Sequence, residues 1–142
     1  MFRYLEDTAY ADIAFEAEGR SIEDAFVSAA QALTDTMADP SALAPSRKHT
    51  LSLTAASLEL LLFDWLAELI YLKDAEQLLF SSFEVAIKKQ RSRFSLRAII
   101  HGTPLVDVAK ESLRNDVKAV TMHQLSFQET EQGYRCRVVL DI

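Results

Sequence analysis

The sequence predicts an α+β fold: two amphipathic helices packed on a mostly antiparallel β-sheet of about six or more strands, within one domain over residues 1–142. Three observations lead there. Only two stretches recur at helical spacing, several shorter runs alternate apolar and polar residues, and short polar breaks join many of those runs, which favours antiparallel neighbours. A chain of 142 residues, 49% hydrophobic and 25% charged with three Gly and three Pro, is long enough to bury a core and too apolar to stay disordered.

Taken in order, Phe2 to Leu5 reads as a short strand, followed by the polar break Glu6-Asp7-Thr8. From Ala11 to Ala17 the pattern alternates, with Ile13, Phe15 and Ala17 on one face and Asp12, Ala14 and Glu16 on the other. Asp12 is therefore directed away from the apolar side. Gly19 closes this run, and Ser21 with Asp24 three residues on resembles a helix N-cap. Ile22, Ala25, Phe26, Ala29, Leu33 and Met37 recur at three and four, so Ile22–Met37 is expected to be a one-sided amphipathic helix packed on something flat. Asp39-Pro40-Ser41 and Pro45-Ser46 form a loop, and Thr50–Thr54 a strand.

The run Leu58–Leu72 is the most apolar in the chain and organises the rest. On a helical wheel Leu58, Leu61, Leu62, Trp65, Leu66, Leu69 and Leu72 share one broad side, widened by Phe63 and Ile70, leaving a wet seam of Asp64, Glu68 and Tyr71. Such a helix must be covered from more than one direction. It is too short and too acidic to be a membrane span of about 20 apolar residues.

Beyond it, Phe83, Val85 and Ile87 alternate, as do Phe94, Leu96, Ala98 and Ile100, around the basic segment Lys88–Ser92. This is a β-hairpin whose tip lacks Gly, so a loop of four or more residues is expected. Its cations admit two readings: a solvated end that discourages edge aggregation, or a docking knob for an acidic protein or RNA surface. Leu105–Arg114 reads as a short strand and turn. Two long strands, Val117–Phe127 and Tyr134–Ile142, finish the chain. In the last, Tyr134, Cys136, Val138, Leu140 and Ile142 face inward and Asp141 outward; in the other, His123 shares a side with Val117, Ala119, Thr121 and Leu125 and reads as a core or rim histidine.

A net charge of -6 and a pI near 5.0 argue against strong non-specific nucleic-acid binding, which rests on Lys and Arg contacts. The single cysteine, Cys136, sits in an alternating run and reads as a small buried hydrophobe. Without a second cysteine or a basic-then-apolar leader, a cytoplasmic protein is expected. No Gly-rich phosphate loop, HExxH or GxSxG is present, and the three histidines are scattered, so no enzyme is expected. The closing Asp141-Ile142 places two carboxylates within one residue. Hard oxygens of this kind suit Ca²⁺ or Mg²⁺ rather than zinc, and either a cation or a partner's Lys or Arg would relieve their repulsion.

Four segments, Glu6–Gly19, Leu61–Tyr71, Val117–His123 and Val139–Ile142, together resemble the archease family in order and spacing. The resemblance implies an accessory protein that activates the RtcB-type RNA ligase of tRNA splicing, promoting the ligase's guanylylation and multiple turnover and widening its nucleotide use. It also implies a divalent metal, Ca²⁺ first with Mg²⁺ or Mn²⁺ as alternatives, bound by Asp12, Asp141 and the carboxylate of Ile142. Lys118 matches the family's functionally important lysine, and RNA would be met only through the ligase. This chain departs from the family's Asp-His-Thr-Ala-Asp pattern, reading Asp7-Thr8-Ala9-Tyr10-Ala11-Asp12, which leaves Asp7 a second candidate. Two other readings stay open: a free-standing metal-dependent hydrolase using the same acids, and a chaperone or modulator of RNA-modifying enzymes.

Overall fold

The computed structural model describes residues 1–6 and 12–142. Eight strands and two helices follow as β1 (Phe2–Leu5), β2 (Asp12–Gly19), α1 (Ile22–Met37), β3 (Arg47–Ala55), α2 (Leu58–Glu76), β4 (Leu78–Gln90), β5 (Arg93–Pro104), β6 (Ala119–Val120), β7 (Ser126–Thr130) and β8 (Gly133–Asp141). All the strand pairings are antiparallel, as expected, but the strands divide between two sheets. One runs β1-β2-β8, with β6 and β7 each paired to β8; the other runs β3-β5-β4. Both helices touch strands of both sheets.

That arrangement explains why α1 is not one-sided. Its N-terminus forms where expected, Ser21 Oγ accepting the Asp24 N–H at 3.0 Å. Yet Ser28, Ala30, Ala32, Thr34 and Thr36 are buried along with Ala25, Phe26, Ala29, Leu33 and Met37. Alanines let a second sheet approach closely, and the hydroxyls are buried with partners, so they carry little desolvation cost. Ser28 Oγ donates to the Met1 carbonyl at 2.5 Å beside β1, while Thr34 Oγ1 donates to the Phe80 carbonyl at 2.6 Å on β4.

The central helix behaves as its composition requires. Ser57 caps α2 by accepting the Leu60 N–H at 3.2 Å, and Gln77 ends it in a left-handed conformation with φ 56°. Trp65 is wholly buried, its Nε1 donating to the Phe26 carbonyl at 3.1 Å and its ring meeting Phe83 edge-on at 6.0 Å. Asp64 and Tyr71 are exposed and Glu68 half-buried, so the wet seam lies where the wheel places it, joined by a partly exposed Leu60.

Four local expectations are corrected. Gln90 pairs with Arg93, so the hairpin turn is two residues, not four or more; Arg91 adopts φ 57°, a conformation for which Gly would have been the sequence signal. Val117–Phe127 is not one strand. It breaks between β6 and β7, where Gln124 takes φ 55° and the Thr121 hydroxyl accepts the His123 N–H at 3.2 Å. His123 is consequently exposed in a turn rather than in the core or at its rim, and the burial of Val120 with Ala119 exposed inverts the expected faces. Leu105–Arg114 forms two short 3-10 turns and a single bridge from Leu113 to Ala38 instead of a strand.

Candidate functional site

Strands β2 and β8 pair residue for residue from Asp12–Asp141 to Gly19–Tyr134. Their apolar faces fix that register, since Phe15, Ala17, Cys136, Val138 and Leu140 are all buried against the helices and a one-residue slip would turn them outward. Directly opposed residues of an antiparallel pair share a face, with Cα atoms about 4.5–5.5 Å apart. The Asp12 and Asp141 side chains are therefore neighbours on the sheet's outer face. Below them the ladder continues through Ala14–Val139, Glu16–Arg137 and Glu18–Arg135.

Charges along this ladder alternate in sign except at its end. Glu18 accepts from Arg135 Nε at 3.0 Å, and Arg3 reaches Glu16 from β1. Asp12 faces Asp141, a like-charge pair that destabilises a sheet unless something else compensates. The third strand at this corner is β6, whose Ala119 also pairs with Asp141. The Lys118 N–H donates to the Asp141 carbonyl at 2.8 Å, and Lys118 itself is exposed.

The segment carrying Lys118 is anchored from below by a residue that sequence reasoning missed. Lys73, at the end of α2, has a buried ammonium that donates to the Asp116 carboxylate and to the Val117 carbonyl, both at 2.7 Å, with Asp74 at 3.0 Å. No periodic signal links positions 43 residues apart. An apolar helix whose last turn buries a lysine was the available hint, because a buried ammonium needs partners.

All four residues singled out in the sequence, Asp12, Lys118, Asp141 and Ile142, thus lie at one corner of the five-stranded sheet; Asp7 falls outside the described residues. Asp12, Asp141 and Ile142 are half-buried. Two adjacent carboxylates are a donor set that fits a hard cation. Among the described residues, no three His, Cys, Asp or Glu side chains gather into a metal cluster. Nor does the corner coincide with the cavity of about 860 Å³ lined by Gly19, Arg20, Tyr134 and Arg135 at the far end of β2 and β8, about 23 Å away along the strands.

Cys136 lies fully buried, and burial pushes its thiol up to about 12, so it stays protonated. His49 and His101 belong to the other sheet. Among the described residues, no helix is long and apolar enough to cross a membrane.

Comparison with known proteins places this geometry. Residues 2–142 match the family model described as Archease protein family (MTH1598/TM1083). Protein archease from Methanosarcina mazei is 34% identical over 142 residues, covering 99% of this chain and 95% of the relative. The solution structure of Methanobacterium thermoautotrophicum protein 1598 superposes with a TM-score of 0.84 at 32% identity, covering 99% of this chain and 98% of that one. A crystal structure from Thermotoga maritima, described as an archease and possible chaperone, shares the fold at a TM-score of 0.61 and 19% identity, covering 99% of each chain. With a match that spans essentially every residue and relatives a third identical along their length, the chain belongs to the archease family.

Proposed function

We propose that this protein is a cytoplasmic accessory factor that activates an RtcB-type RNA ligase in tRNA splicing, promoting the ligase's guanylylation and multiple turnover and broadening its nucleotide use. The observation that supports it best is the opposition of Asp12 and Asp141 at a corner also bordered by Lys118. A like-charge pair at the end of an otherwise sign-alternating ladder presents two carboxylates to one cation. In this reading Asp12, Asp141 and the Ile142 carboxylate hold one hard divalent cation, Ca²⁺ in preference to Mg²⁺ or Mn²⁺. When bound, such a cation would neutralise the acid pair. Lys118 meets the ligase beside its active site, where positioning the reacting groups carries most of the catalysis of phosphoryl-type transfer. The chain itself breaks no bond.

The test is ligase guanylylation with GTP at limiting divalent ion, with and without this protein. Asp141→Ala and Asp12→Ala should abolish stimulation while leaving the far-UV spectrum intact; full stimulation by either would refute the reading. Lys118→Ala should stimulate poorly at unchanged melting temperature, and a large loss of stability would mark a structural lysine instead. The description of the Thermotoga relative as a possible chaperone favours a second reading, suppression of a client's aggregation. Under that reading the Asp141→Ala protein would still protect the client.

A further inference from the structure

The net charge of -6 conceals a strong segregation. Strands β3, β4 and β5 with their hairpin turn carry seven of the fifteen Lys and Arg but only one of the twenty-one Asp and Glu, Glu84. The register sorts these residues by face. Across β3-β5-β4 the outer rows read Thr54-Ser95-Lys88, Ser52-Arg97-Ala86, Thr50-Ile99-Glu84 and Lys48-His101-Ser82, with Arg93 opposite Gln90 above them. Leu51, Leu53, Leu96, Ala98 and Ile100 point the other way, onto the helices.

Elsewhere in the fold Arg3, Lys73, Arg114 and Arg135 each meet a carboxylate. Among the described residues, Lys88, Arg93 and Arg97 make no ion pair, and all three are exposed. Arg97 stands between two shallow depressions of about 350 and 420 Å³, one bordered by Ser52, Thr54, Lys88 and Ser95, the other by Thr50, Glu84 and Ile99. Arg93 and Arg97 are about 13 Å apart along β5, so the basic strip continues well below the turn.

We propose that this outer sheet face binds single-stranded RNA through its phosphodiester backbone. Unpaired cations interleaved with hydroxyls are the side chains that contact phosphate and sugar oxygens, and the hydroxyls of Thr50, Ser52, Thr54 and Ser95 complement ribose 2′-hydroxyls. A protein partner would need an apolar centre. Here only Ile99 and Ala86 supply one. Phe94 lies on the helix-facing side with Ala55, which leaves the half-buried imidazole of His101 as the ring in the outer rows among the described residues, and backbone contacts keep binding tolerant of sequence. The strip of Lys48, Lys88, Arg91, Arg93 and Arg97 is a different surface from the acid corner, and the inference does not rest on the ligase reading.

Fluorescence anisotropy of a labelled 20-nucleotide single-stranded RNA, with no ligase present, tests it. Five phosphate contacts predict a log–log salt slope of about -3.5 for a single strand. The triple variant Lys88→Gln, Arg93→Gln, Arg97→Gln should lower the slope to about -1.4 and weaken binding about tenfold at low salt. Glu84→Gln, which removes the one acid, should tighten it, while Asp12→Asn with Asp141→Asn should leave it unchanged. Lack of RNA binding by the folded protein at low salt would overturn the proposal. So would an unaffected triple variant, single-stranded DNA binding as tightly as RNA, or polyglutamate displacing the RNA as well as unlabelled RNA does.

Discussion

Replacing Lys73 by Met keeps the aliphatic stem and removes only the ammonium, which isolates the anchor beneath the Lys118 segment. Three contacts are lost, and they are unequal. Asp116 and Asp74 expose 81% and 60% of their side chains, so each ion pair contributes between about 0 and 1 kcal/mol after solvent screening. Val117 is fully buried, and its carbonyl, which accepts from Lys73, would be left short of a partner at a cost of about 1–3 kcal/mol. Desolvating the ammonium opposes these gains, which brings the expected loss to about 2 kcal/mol. For a chain of this length that lowers the melting temperature by about 6 °C. Urea titration at pH 7 should show the midpoint falling with an unchanged m-value. The comparison variant Asp116→Asn should cost less than about 1 kcal/mol. If Lys73→Met costs under about 0.5 kcal/mol, or if Asp116→Asn costs as much, the buried carbonyl is not what the lysine serves.

The other predictions concern backbone and titration. A Cβ on Gly102 would stand 2.2 Å from the Leu79 carbonyl oxygen and 2.9 Å from Phe80 Cα, beside the irregularity between Phe80 and Ser82, so Gly102→Ala should cost about 3 kcal/mol in chemical unfolding. Because Arg91 holds φ 57° in the hairpin turn, Arg91→Gly should gain about 0.5 kcal/mol and Arg91→Val lose about 1, read as opposite shifts of the denaturant midpoint. Cys136 should resist iodoacetamide at pH 8 in the native protein and react once unfolded; equal rates would contradict its burial. Its thiol is raised by burial from 9.0 to about 12, so the unfolded chain ionises first, and stability that is intact below pH 9 should decline as the pH climbs towards 12. The Tyr4 phenol, raised from 10.0 to about 12 by burial and its hydrogen bond to Asp35, adds a loss of the same sign above pH 10.

The helices and most strands were legible because each declares its own period. Ser21 and Asp24 marked the start of α1, and the recurrence to Met37 marked its end. What period cannot say is which strands become neighbours. An alternating run reveals that one face is apolar, not which sheet it joins, so the division into two sheets was hidden. For the same reason Ala30, Ala32 and Thr34 looked like the free side of α1 until a second sheet covered them. Between Val117 and Phe127 the alternation of residue types runs through an actual turn, because Thr121 hydrogen-bonds locally and Gln124 accepts a left-handed conformation, signals too weak to interrupt a pattern. At the acid corner, the outward direction of Asp12 and Asp141 came from strand parity, whereas their apposition came only through resemblance, being a contact between residues at opposite ends of the sequence. Lys73 had no signature of either kind.

The corner where the second strand meets the eighth imposes a timetable on the chain. Helices and the long hairpin can close from neighbouring sequence, but Asp12 waits for Asp141, and contacts of such span are slow to form. A nascent or half-assembled copy would carry the basic strip and much of the interior while lacking the acid pair altogether. A cation or partner that recognised that pair would therefore engage finished molecules only, and tolerance of substitutions in β8 should be narrower than its burial alone would suggest.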